Sequence, residues 1–80
     1  MLTDYINAAL RHARYEILSD DGSYYGEIPE LPGVWANAET LEACREELRE
    51  ALENWITLGL AMQHKLPPID DVEVIVELAS

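Results

Sequence analysis

The sequence predicts an α+β domain with the element order α-β-β-β-α-β. Three observations carry this. Short stretches alternate apolar and polar residues before position 40, one long helical stripe follows, and the four prolines, with Gly22 and Gly33, fall at the boundaries of these segments. Three strands joined by short turns form an antiparallel meander. A helix between the third and fourth strands makes a crossover, which is right-handed in nearly all cases. The fourth strand then runs parallel to strand one, giving the spatial order 3-2-1-4 with the long helix on one face.

Residues 1–12 read as an N-terminal helix, with Leu2, Tyr5/Ile6 and Ala9/Leu10 at helical spacing and Thr3 as its N-cap. Residues 13–78 read as the β-β-β-α-β core. In the first strand Ala13, Tyr15 and Ile17 alternate with Arg14 and Glu16, so the apolar set faces inward. Asp20-Asp21-Gly22 makes a hairpin tip, since Gly supplies the positive φ of a tight turn. Residues 23–28 return as strand two. Pro29 ends it, and Glu30-Leu31-Pro32-Gly33 reads as a turn with Pro and Gly at its centre. Val34–Ala38 is the third strand.

Thr40 caps the longest helix, near whose positive end Glu39 and Glu42 lie. Its apolar stripe is Leu41, Cys44, Leu48, Ala51/Leu52, Trp55, Leu58/Gly59 and Met62. Leu41, Leu48, Leu52 and Trp55 are the expected core anchors. Pro67-Pro68 forbids further helix, and Val72, Val74, Val76 and Leu78 form the inward face of the fourth strand.

At 80 residues the chain is one domain, and its 49% apolar content excludes disorder of the whole. Charge is the outlier: sixteen Asp+Glu against five Lys+Arg give a net charge of −11. A field of this sign repels phosphate and favours a basic partner over nucleic acid or an anionic membrane. The lone Cys44 cannot form an internal disulfide, and no signal peptide or membrane span is visible, so the expected compartment is the cytoplasm.

The run Tyr24-Tyr25-Gly26-Glu27-Ile28-Pro29-Glu30-Leu31-Pro32-Gly33-Val34-Trp35, then Glu39-Thr40-Leu41-Glu42 and a long helix closed by Pro67-Pro68, resembles the HicB-like antitoxin family over about residues 13 to 78. Pro29, Pro32, Gly33 and Thr40 carry the motif. The resemblance implies a partial RNase H-like fold and a type II toxin–antitoxin role. In that role the protein binds a small basic HicA-type toxin that cleaves mRNA and blocks its active surface. Family members often add a C-terminal DNA-binding domain. This sequence ends two residues after the fourth strand, so a stand-alone domain without direct DNA binding is expected.

The contact residues proposed for such a toxin are Asp20, Asp21, Glu27, Glu30 and Trp35, acidic or aromatic positions around the hairpin tip and the Pro-Gly turn. Trp35 forms an apolar patch with Tyr25 and Leu31 if all three are exposed; the alternative is that the N-terminal helix packs over them. An open edge on the short third strand implies a homo-oligomer. Neither catalysis, metal nor cofactor is expected, because His12, Cys44 and His64 share no ligand spacing. Glu16, Glu27 and Asp71 or Glu73 could supply a metal-dependent nuclease only with the right geometry. His12 is expected to meet the negative end of the first helix. The alternative to an antitoxin is an orphan oligomeric scaffold.

Overall fold

The computed structural model describes residues 2–70. They form α1 (Leu2–Arg11), β1 (Arg14–Ile17), β2 (Tyr24–Glu27), β3 (Trp35–Ala38) and α2 (Leu41–Ala61). The class is α+β: two helices and one three-stranded antiparallel sheet in the order β1-β2-β3. The expected fourth strand at residues 72–78, its parallel pairing and the RNase H-like arrangement lie outside the described residues.

The register sorts the sheet into two faces. Tyr15, Gly26 and Ala36 lie side by side, as do Ile17, Tyr24 and Ala38. Paired residues share a face, so these rows make the inner face, toward α2. Arg14, Glu27 and Trp35 form one outer row, and Glu16, Tyr25 and Asn37 the other.

Gly26 allows the close approach of the two layers. A Cβ there would stand 2.8 Å from the Tyr15 ring and 3.2 Å from Cys44 Sγ. Cys44 is buried and free, its thiol within 3.7 Å of the Ala36 carbonyl. Burial, and then the Glu47 carboxylate, push that thiol's pKa up.

The buried stripe of α2 is Cys44, Leu48, Leu52 and Ile56. Its strict four-residue step advances about 40° per repeat, so the stripe slants across the helix. This corrects two expected anchors. Ile56 takes the buried position and Trp55 is only half-buried at its flank, while Leu41 is 41% exposed. Leu58 and Met62 are exposed as well. The cause is length: a 21-residue helix spans about 31 Å, a four-residue strand about 13 Å, so α2 overhangs the sheet. Ile17 is likewise exposed, since α2 packs on β3 and β2 rather than β1.

Thr40 caps α2 as its sequence implies: Ala43 N–H donates to Thr40 Oγ1 at 3.1 Å. The other end closes ahead of the prolines. Gln63 takes φ +60°, Gln63 N–H donates to Leu60 C=O, and His64 N–H donates to Gly59 C=O. This is a Schellman motif with glutamine in the place usually held by glycine. Thr3 is not an N-cap, because α1 already starts at Leu2. Helix α1 packs on α2 through Tyr5, Ala8 and Ala9, all fully buried. The Tyr5 hydroxyl donates to the Pro67 carbonyl at 2.6 Å, tying the helix to the far end of the described chain.

Candidate functional surface

The five proposed contact residues do not converge. Asp20 and Asp21 occupy the β1–β2 turn, at the end of the sheet where Tyr24 meets Ala38. Asp21 builds that turn. Its Oδ1 accepts from Ser23 N–H at 2.9 Å, and the Ser23 hydrogen bonds lower the carboxyl's pKa. Gly22 sits beside it at φ +72°.

Glu27 and Trp35 lie at the other end of the sheet, directly opposite each other on its outer face. Trp35 is 56% exposed and stacks on Tyr25, with ring centroids 6.2 Å apart. The Pro-Gly segment is two successive turns. Leu31 N–H donates to Ile28 C=O, and Val34 N–H donates to Leu31 C=O. Pro29 and Pro32 occupy the first central position of each turn, and Gly33 takes φ +98° in the second. Leu31, at the junction, is fully buried. The expected patch therefore reduces to Tyr25 and Trp35.

Glu30 is engaged elsewhere. His12 Nδ1 lies 2.5 Å from Glu30 Oε2, and His12 Nε2 lies 2.8 Å from Asp70 Oδ1. Both ring nitrogens can donate at once only in the imidazolium form. The Glu30 hydrogen bond, followed by that of Asp70, accordingly raises the His12 pKa, and the bond from His12 lowers that of Glu30. Arg11 adds a 3.9 Å contact to Asp70. His12 thus clamps three segments rather than merely meeting a helix terminus. Sequence offered no signal for it, because the partners are 18 and 58 positions away.

Glu42, Glu46, Glu47, Glu50 and Glu53 line the exposed side of α2 with Arg45 and Arg49, of which Arg49 reaches Glu53 at 3.7 Å. Glu16 and Glu27 both point to the outer sheet face; Asp71 and Glu73 lie outside the described residues. Among the described residues no group of three His, Cys, Asp or Glu is arranged to hold a metal ion, and no helix is long and apolar enough to cross a membrane.

A small sheet backed by one long helix, with an acidic exterior and an exposed aromatic pair, defines a small α+β module with an anionic, aromatic-bearing surface. The chain belongs to the UPF0150-like family, whose model matches residues 4–67, a family of small toxin–antitoxin-like proteins. It is similar to TTHA0281 from Thermus thermophilus, a crystal structure 40% identical to it, with a TM-score of 0.89 over 96% of this chain and 95% of that one. No curated protein matches it in sequence.

Proposed function

We propose that the protein is an antitoxin of HicB type that binds a small, basic, mRNA-cleaving toxin of HicA type and masks its RNA-binding surface. The observation that carries this reading is the net charge of −11 on a surface that also exposes the Tyr25–Trp35 stack. An RNA-cleaving protein needs a cationic surface. An acidic module competes with phosphate for it, and opposite fields accelerate their encounter. Aromatic side chains supply contact area at low entropic cost. Membership in a toxin–antitoxin-like family supports the same role. The antitoxin acts by coverage and makes or breaks no bond.

The test is inhibition. The protein is titrated into an RNA-cleavage assay of a candidate small basic toxin of HicA type. Cleavage should stop near a stoichiometric ratio, and less readily at high salt. Full cleavage at a large molar excess would refute the proposal.

A further inference from the structure

Strand β3 pairs with β2 on one side, and among the described residues no strand pairs with its other side. The phase of its hydrogen bonding follows from one contact: Ile28 N–H donates to Val34 C=O. Antiparallel ladders alternate, so Val34, Ala36 and Ala38 direct their backbone groups at β2, and Trp35 and Asn37 direct theirs at the open edge. Along this edge runs a groove of about 480 Å³, with Trp35 and Asn37 on the strand side and Glu47, Glu50 and Asn54 on the helix side. Glu47 and Glu50 are exposed, one helical turn apart, and neither forms an ion pair with a described residue.

We propose that this edge is where an extended, lysine- or arginine-bearing strand of the basic partner docks, adding to the sheet beside β3. The proposal rests on the antitoxin reading for the partner's charge and says where that partner lands. Backbone groups of Trp35 and Asn37 supply the new ladder. The side chains of an added strand alternate. One set reaches Glu47 and Glu50, and the other lies against the Trp35 ring. A second copy of this chain fits poorly. Pairing β3 with its own copy would bring Glu47 and Glu50 of both chains to one seam, where like charges oppose association. The same carboxylates repel a nucleic-acid strand.

The probe is a short peptide of alternating lysine and valine, added to the isotopically labelled full chain and followed by NMR, with a glutamate–valine peptide as control. Amide and indole shifts should concentrate at Trp35–Ala38 and along residues 47–54, with the control silent. The double variant E47K/E50K should weaken binding by about tenfold, because two exposed attractions become repulsions; E47Q/E50Q should fall between. Shifts mapping to another face, unchanged affinity in the reversal variant, or β3 amides already covered by self-association would overturn the proposal. The cleavage assay separates the two readings. Undiminished inhibition by E47K/E50K overturns the docking site alone. Peptide binding at β3 without inhibition by the unmodified chain overturns the antitoxin reading and leaves the site standing.

Discussion

Replacing Gly26 with alanine sets two effects of opposite sign against each other. Alanine restricts the unfolded chain and so favours folding by about 0.4–1 kcal/mol where the native geometry accepts it. At Gly26 it does not. The new methyl would stand 2.8 and 2.9 Å from two Tyr15 ring carbons and 3.2 Å from Cys44 Sγ. The half-buried Tyr15 ring can swing aside and lose packing, but Cys44 is fixed on the buried stripe of α2. Overpacking of this kind costs about 1–3 kcal/mol. The net expectation is a loss of about 1–2 kcal/mol, which lowers Tm by about 4–16 °C in a domain of this size. Thermal unfolding followed by far-UV circular dichroism measures it. In a double-mutant cycle, Cys44→Ala should recover part of the loss because it removes one of the two obstacles. A G26A protein as stable as the parent would refute the close-packing argument.

Thr40→Ala removes the acceptor for Ala43 N–H and should cost about 1 kcal/mol in urea unfolding, with an unchanged m-value. Gln63→Gly should raise Tm by a few degrees, because glycine occupies the left-handed C′ position without a Cβ penalty; a fall would show that the glutamine side chain contributes there. The His12 clamp makes stability depend on pH in a defined sense. The raised His12 pKa gives stability that is complete below its ordinary value of 6.5 and lost as pH rises through the folded value. The lowered Glu30 pKa gives stability present above its ordinary value of 4.5 and lost as pH falls through the folded one. The clamp is therefore tightest between these limits. Tm should decline on the alkaline side in the parent, and the decline should shrink in His12→Gln; identical profiles would exclude a contribution from the clamp.

Local chemistry made much of this molecule legible in its sequence. Thr40 has the right oxygen for a cap, Gly22 and Gly33 stand where φ is positive, and alternation sorted Tyr15 from Arg14 and Glu16. The errors arose where a residue's fate depends on what lies beyond its own element. Helical spacing placed Leu41 and Trp55 on an apolar stripe, but the slant of that stripe and the short sheet beneath it decided that Ile56 would be covered instead. The stripe ends at Met62 and the prolines forbid helix beyond them, as the structure has it, but the turn itself falls at Gln63, a residue type with no strong preference for that conformation. The candidate surface fared similarly. Trp35 and Glu27 are neighbours because strand register makes them so, whereas Asp20, Asp21 and Glu30 share only their charge with Glu27. Glu30 was drawn to His12 by tertiary proximity that no local pattern encodes.

Two of the hydrogen bonds that hold helix α1 come from residues remote in the chain. The Tyr5 phenol needs the Pro67 carbonyl, and the imidazole just past the helix needs Asp70. These two partners lie 62 and 58 positions along the chain, against 18 for Glu30, the other partner of His12. Sheet and α2 can pack on one another without these bonds, so a chain cut short before Pro67 would leave α1 held only by its packing on α2 and by Glu30.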